Sequence, residues 1–113
     1  MSDVRERIEK MIADNPVLLF MKGTPQFPQC GFSGRVVQIL DYIGAPVVGV
    51  DVLADAEIRQ GIKEYANWPT VPQLYIKGEF VGGADIVTEM FQSGELAAML
   101  TEAGVEVKQP AKV

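Results

Sequence analysis

The sequence predicts a small α/β domain in which a mixed four-stranded sheet is flanked by helices. Apolar residues recur at helical spacing in several segments. In the first half of the chain these helical segments alternate with short apolar runs of strand length. A glycine-containing link joins the last two strand segments. A strand–helix–strand order implies a right-handed parallel crossover, whereas a terminal hairpin adds antiparallel strands. The predicted order is therefore α-β-α-β-α-β-β-α-α.

The first half of the chain alternates between helix and strand. The first helical stripe consists of Val4, Ile8, Met11 and Ile12. Asn15-Pro16 ends this helix, because the residue before a proline avoids helical angles. Residues 17–21 are continuously apolar, which is typical of a strand covered on both faces. A loop rich in proline and glycine, residues 23–31, precedes the second helix. The second helical stripe consists of Phe32, Val36, Ile39, Leu40 and Ile43.

The second half begins with residues 47–52, which are predicted to form another buried strand. Asp55 is a candidate N-cap for the third helix, and Asn67-Trp68-Pro69 ends that helix. Two short apolar segments, residues 71–76 and 80–81, flank a glycine-containing link and predict a hairpin.

The C-terminal part is predicted to be helical and then irregular. A last helical region covers residues 84–103, and Gly94 is expected to divide it. The domain is expected to span residues 1–106. Residues 107–113 are expected to form a flexible tail.

The composition excludes several kinds of chemistry. The 113-residue chain has one cysteine and no histidine, so it has no Ser-His-Asp triad, no Cys-His pair and no histidine-ligated zinc. A single cysteine also excludes an intrachain disulfide and a Cys-x-x-Cys pair. The one thiol that remains belongs to Cys30.

Charge and apolar runs limit the expected partners and location. A net charge of -5 repels phosphate backbones, so nucleic acid is not an expected partner. The longest apolar run, residues 16–21, is too short to span a bilayer, and no membrane partner is expected. The N-terminal residues match neither a secretory nor a transit pattern. The chain is expected to be a complete, soluble, cytoplasmic protein, or the mature form of one that has lost a targeting peptide.

Cys30 lies at the end of the loop and directly before the second helix. Unpaired N–H groups and the positive end of the helix dipole favour a thiolate there, and Lys22 returns to the same edge of the sheet. The alternative is a buried structural cysteine. Its position in a proline- and glycine-rich loop, away from any apolar stripe, favours a functional thiol.

Four sequence blocks resemble the monothiol (CGFS-type) glutaredoxins. These blocks are Lys22-Gly23-Thr24-Pro25, Cys30-Gly31-Phe32-Ser33, Trp68-Pro69-Thr70-Val71-Pro72-Gln73 and Gly82-Gly83-Ala84-Asp85. They occur in the family's order and spacing, and the chain length resembles the short bacterial or organellar members. The resemblance implies a thioredoxin fold and a cis Val71–Pro72 bond. It also implies that the backbone of Val71 faces an extended peptide beside Cys30. Without the family resemblance, the residues alone favour an ordinary trans proline at Pro72, at the start of an edge strand.

The resemblance also implies a glutathione site with two charged ends. The positions of Lys22 and Arg59 bind the glycyl carboxylate, and Lys63 assists them. Arg59 and Lys63 lie at i and i+4, on one face of the third helix. On residue pattern alone, a solvated helix face is the better explanation of this pair.

The second end of the implied site is Gly82-Gly83-Ala84-Asp85, whose glycines precede a helix. Free N–H groups at such a helix start bind anions, and Asp85 is suited to the ligand ammonium. The alternative is helix capping alone. Many members of the family carry a cysteine that could pair with the active-site thiol at the position of Ala84. Because this chain has alanine there, such an internal disulfide is impossible here. Trp68 is interpreted as a core or loop anchor, and Asp51 as a cap or surface charge.

Two functions suit one thiol beside glutathione. In the first, a [2Fe-2S] cluster with four thiolate ligands is bridged by two Cys30 side chains and two glutathiones in a homodimer. The resemblance implies delivery to apo iron–sulfur proteins and complexes with BolA-like partners. In the second, Cys30 reduces glutathione mixed disulfides. A third reading, an interaction module with an incidental cysteine, has no residue pattern of its own.

Overall fold

The computed structural model describes residues 2–108, and its helices and strands follow the predicted order. The elements are α1 (Ser2–Asp14), β1 (Val17–Met21), α2 (Gly31–Ile43), β2 (Val48–Asp51), α3 (Ala56–Ala66), β3 (Gln73–Ile76), β4 (Glu79–Gly82), α4 (Ala84–Ser93) and α5 (Glu95–Glu102). In this part of the chain, no helix has both the length and the apolar character needed to cross a bilayer.

The four strands form one mixed sheet in the order β2-β1-β3-β4. β1 pairs in parallel with β2, whereas β3 is antiparallel to both β1 and β4. The turn between β3 and β4 uses positive φ angles at Lys77 (51°) and Gly78 (84°), as a tight hairpin requires. The predicted mixed sheet is confirmed.

β1 lies at the centre of the core, which explains its continuous apolar run. Val17, Leu19 and Met21 pack with α2, α4 and α5, whereas Leu18 and Phe20 pack with α1 and α3. All five β1 residues are buried. Helices therefore cover both faces of this strand, and the two clusters together form the core.

The prediction that the second strand is buried is wrong. Among the strands of residues 2–108, β2 pairs only with β1 and lies at the edge of the sheet, and Val48 is 46% exposed. Its second residue, Gly49, lies so close to Pro25 that an added Cβ would be 2.6 Å from the proline Cγ. The loop before Cys30 therefore rests against the edge of the sheet. The apolar run gave no sign of this, because an edge strand and a central strand share the same composition.

The predicted cap of the third helix is confirmed. The Asp55 side chain accepts hydrogen bonds from the N–H groups of Glu57 (3.1 Å) and Ile58 (3.2 Å). Arg7 on α1 donates to the same carboxylate at 2.7 Å, and this contact lowers the pKa of Asp55. Asn67, with φ 52°, ends the helix in the left-handed conformation. Arg7 also pairs with Glu57 at 3.5 Å, so two exposed ion pairs link the first and third helices.

Gly94, with φ 88°, separates α4 from α5 as predicted. Beyond α5, Val107 packs against the cluster of α2, α4 and α5, and the Lys108 N–H donates to the Ile43 carbonyl at 2.8 Å. Residues 109–113 lie outside the described part of the chain. The boundary between a domain at residues 1–106 and a tail at 107–113 stays a prediction.

Candidate functional site

A groove of about 450 Å³ lies beside Cys30. The chain segments that meet there are the end of β1, the start of α2, one face of α3, the loop before β3 and the start of α4. All nine site residues predicted from the sequence line this groove: Lys22, Cys30, Arg59, Lys63, Val71, Pro72, Gly83, Ala84 and Asp85. The fold therefore brings them together, and their individual roles stay predictions.

Cys30 is the N-cap residue of α2 and is partly exposed. The backbone N–H of Ser33 is the main cause of a lowered thiol pKa. The Phe32 N–H, the charge of Lys22 and the Ser33 hydroxyl act in the same direction, while burial opposes them. A free helix N-terminus aimed at the sulfur therefore stabilises the thiolate, as its sequence position predicted.

Ser33 is fully buried, although it follows the exposed Phe32. Its hydroxyl accepts a hydrogen bond from the Lys22 N–H at 3.1 Å and so ties the end of β1 to the first turn of α2. Phe32 was assigned to the apolar stripe of α2, but it is 62% exposed and lines the groove. In the first turn of α2 the buried position belongs to Ser33, and Phe32 faces the groove in its place.

The loop between Lys22 and Cys30 is held by its own backbone. Thr24 and Phe27 exchange two backbone hydrogen bonds, and the Gln29 N–H donates to the Lys22 carbonyl at 2.8 Å. Asp51 on β2 accepts from the Gly23 N–H at 2.9 Å. The interpretation of Asp51 as a cap or surface charge missed this contact, since its partner is 28 residues away.

Three cationic side chains line the groove, and none of them forms an ion pair with another residue of the described part of the chain. Lys22 comes from the end of β1, and Arg59 and Lys63 come from α3. Among residues 2–108, the ion pairs within 4.0 Å involve Arg5, Arg7 and Lys10. The three groove cations are therefore available for an anionic ligand, on a protein whose net charge is -5.

The start of α4 faces the same groove with little side-chain bulk. Gly83 is the N-cap residue and provides no side-chain cap, and a Cβ added to it would lie 3.3 Å from the Pro72 carbonyl oxygen. Asp85 is exposed in the first turn. Within the described chain, its carboxylate makes no hydrogen bond to the helix backbone. This arrangement leaves both backbone N–H groups and a carboxylate accessible to a ligand.

The loop before β3 closes the groove. The Val71–Pro72 bond is cis, as the resemblance implied. Trp68 lines the groove, is 36% exposed and packs edge-on against Phe80, with ring centroids 5.6 Å apart. The interpretation of Trp68 as an anchor therefore accounts for its contact with Phe80 but not for its position at the groove. Ile86 on α4 also lines the groove, and no sequence signal separated it from a core residue.

We expect Cys30 to ionise at a lower pH than an ordinary cysteine, whose pKa is about 8.5. The thiolate is the reactive form, so the rate of iodoacetamide alkylation should fall as the pH falls through this lowered pKa. The midpoint of the rate–pH profile is the measurement. Lys22→Gln should shift it upward, because one attractive charge is lost, while Lys10→Gln on α1 is the control. A wild-type midpoint at or above that of a cysteine peptide contradicts the expectation.

Comparison with known proteins gives a consistent result. The glutaredoxin family model matches residues 17–81. A monothiol glutaredoxin of Synechocystis is 59% identical over 101 residues, covering 89% of this chain and 94% of that protein. Glutaredoxin 4 of Escherichia coli is 49% identical over 108 residues, covering 96% and 94%.

Solved structures agree in fold. Reduced apo GrxS14 from poplar has a TM-score of 0.81 at 48% identity, covering 92% of this chain and 98% of that one. A buckwheat glutaredoxin–glutathione complex has a TM-score of 0.80 at 28% identity, covering 89% and 90%. The thioredoxin fold predicted from the motifs is thus confirmed.

Proposed function

Because the chain belongs to the monothiol glutaredoxin family, we propose that it binds glutathione and carries a [2Fe-2S] cluster between two copies of itself. The observation that carries the proposal is the position of Cys30, whose thiol pKa is lowered, at the edge of this groove. The same groove is lined by three cationic side chains from β1 and α3 and by the start of α4. Cys30 is both the proposed metal ligand and the reactive residue.

The groove suits glutathione in size and charge. Its volume of about 450 Å³ falls within the range of roughly 300–1,000 Å³ common for small-molecule sites. In this proposal Lys22, Arg59 and Lys63 bind the glycyl carboxylate. At the start of α4, the N–H groups of Gly83 and Ala84 bind the γ-glutamyl carboxylate, and Asp85 binds the ammonium. The buckwheat relative was solved as a glutathione complex, which supports the same ligand here.

Counting ligands supports a shared cluster. A [2Fe-2S] cluster is usually held by four thiolates, and this chain contributes one. Within residues 2–108, no group of three or more His, Cys, Asp or Glu side chains is arranged to hold a metal ion. Two Cys30 thiolates from two copies and two glutathione thiolates complete the set. Because half of the ligands are small molecules, such a cluster is suited to transfer.

The partners follow from this proposal. We propose a homodimer when the cluster is bound, apo iron–sulfur proteins as recipients, and BolA-like proteins as partners of a mixed complex. The cytoplasmic location expected from the sequence stays a prediction.

The proposal is tested by anaerobic reconstitution with iron, sulfide and glutathione, which should give a coloured dimer containing two irons per two chains. A colourless monomer under these conditions contradicts it.

The alternative function is reduction of glutathione mixed disulfides, and the lowered pKa of Cys30 favours it as well. The thiolate attacks the glutathione sulfur of a protein–glutathione disulfide, and the protein thiolate leaves. A second glutathione thiolate then attacks the Cys30–glutathione disulfide, which restores Cys30 and gives oxidised glutathione. Substantial turnover in a glutathione-coupled disulfide assay, together with failed reconstitution, would establish this function in place of cluster transport.

Arg59→Gln should weaken glutathione binding on the order of tenfold, because a charge-assisted contact with the glycyl carboxylate is lost. Calorimetric titration with S-methylglutathione measures binding without thiol chemistry. The weakening should shrink at high salt, since exposed charges are then screened. Arg35→Gln removes the same charge from a residue that does not line the groove, and it should bind like the wild type. Equal affinities of the two variants would exclude Arg59 from the site.

A further inference from the structure

We propose that Gln73 is a positioning residue that turns the backbone N–H of Val71 toward the glutathione backbone. The inference rests on the proposed function, because it concerns how the same groove holds its ligand. Gln73 itself does not line the groove and is fully buried at the start of β3. It therefore acts through the loop that precedes it.

Every polar group of the Gln73 amide has a partner. The Nε2 group donates one hydrogen bond to the Trp68 carbonyl (3.3 Å) and one to the Thr70 carbonyl (3.1 Å). The Oε1 atom accepts from the Tyr75 hydroxyl at 3.2 Å. Two carbonyl oxygens can only accept, so the nitrogen must face the loop. Burial raises the pKa of Tyr75, which keeps its hydroxyl protonated as a donor.

The loop needs such a side chain because its own backbone offers few donors. Pro69 and Pro72 have no N–H group. In the described chain, residues 69–72 take part in no backbone–backbone hydrogen bond outside the regular elements. The buried Gln73 amide thus supplies hydrogen-bond donors to two carbonyls of this loop, and the loop is held in place through them.

The planar peptide unit converts this contact into an orientation at the ligand site. The Thr70–Val71 bond is trans, since the one cis bond described lies at Val71–Pro72. In a trans peptide the C=O and N–H vectors point in opposite directions. The Thr70 carbonyl points inward to Gln73, so the Val71 N–H points outward, and Val71 lines the groove. Among residues 2–108 this N–H has no hydrogen-bond partner, which leaves it free for a ligand carbonyl.

Two substitutions separate positioning from simple stability. Gln73→Met keeps the length of the side chain but removes its two donors, whereas Tyr75→Phe leaves both donors in place and removes only the bond to Oε1. We expect Gln73→Met to raise the Kd for S-methylglutathione roughly tenfold and Tyr75→Phe to change it by less than about twofold. A purely structural role would lower the Tm of both variants and leave the Kd of the folded protein unchanged.

The reactivity of Cys30 is the second readout. The iodoacetamide rate–pH midpoint should stay at the wild-type value in Gln73→Met, because the groups that lower this pKa belong to α2 and Lys22. A wild-type Kd in Gln73→Met would overturn the positioning role. If S-methylglutathione fails to bind the wild-type protein at all, the proposed function fails first.

A measurement on the wild type covers the case in which Gln73→Met does not fold. In amide NMR spectra, S-methylglutathione should shift the Val71 N–H downfield, as a new hydrogen bond requires. The Lys77 N–H, which already donates to the Pro16 carbonyl away from the groove, should not move. A Val71 signal that stays unchanged at saturating ligand would overturn the proposal.

Discussion

Cys30→Ser is expected to remain colourless and monomeric after anaerobic reconstitution with iron, sulfide and glutathione. Serine is nearly the same size but its hydroxyl does not ionise near neutral pH, so it cannot replace a bridging thiolate. Cys30 is the only cysteine in the chain, and no other thiol can compensate. We expect complete loss of the visible absorbance, measured together with molecular mass, and not a partial decrease.

The control for Cys30→Ser is binding of S-methylglutathione to the same variant. The groove cations and the start of α4 are unchanged, so its Kd should stay within about twofold of the wild-type value. A variant that binds the ligand but stays colourless identifies the sulfur as the metal ligand. A coloured Cys30→Ser dimer would show that the cluster is held elsewhere. If the fold and partner binding are both insensitive to Cys30→Ser, the third reading, an interaction module, gains support.

Gly23→Ala should destabilise the protein by about 1–3 kcal/mol and displace the loop before Cys30. Gly23 has φ 91°, which L side chains rarely adopt. An added Cβ would lie 2.5 Å from the Phe27 carbonyl oxygen and 2.6 Å from the Gln29 nitrogen. Both are backbone atoms, so the loop must shift. Urea unfolding measures the loss of stability, and slower cluster assembly reports the displaced loop.

Gly34→Ala is the matched control, because it makes the same substitution in the first half of α2. Its Cβ would meet Pro28 at 3.6 Å, an ordinary contact. Alanine in a helix interior is favoured over glycine by up to about 1 kcal/mol, so this variant should be slightly more stable than the wild type. Opposite signs for the two variants would support the loop argument. A neutral Gly23→Ala would refute it.

Much of the fold could be predicted from local signals. The apolar stripes, Asn15-Pro16, Asp55 and Gly94 are features of neighbouring residues, and the helix and strand boundaries followed them. β2 was placed correctly along the chain but wrongly in the interior. Whether a strand has one partner or two depends on the sheet order, which no residue in 47–52 encodes.

In the candidate site, too, local features could be predicted from the sequence, whereas contacts between separate segments could not. The motifs located Cys30, the cations and the start of α4, and the fold brings them to one groove. Asp51 and Gln73 were not recognised as supports, because each binds backbone groups of another segment or loop. A hydrogen bond to a backbone atom leaves no side-chain pattern in the partner. Phe32 was misplaced because Phe32 and Ser33 both lie at helical spacing from Val36, and the polar Ser33 takes the buried position.

Ala84 and Cys30 line the same groove, Ala84 is buried, and the chain has no second cysteine. An oxidised Cys30 therefore has no thiol in its own chain with which to close a disulfide. A mixed disulfide at Cys30 is broken only by a thiol of another molecule in a second-order step, whereas a protein with two thiols can displace the bound partner by closing an internal disulfide in a first-order step. The rate at which Cys30 returns to the free thiolate consequently depends on the concentration of free thiols around the protein.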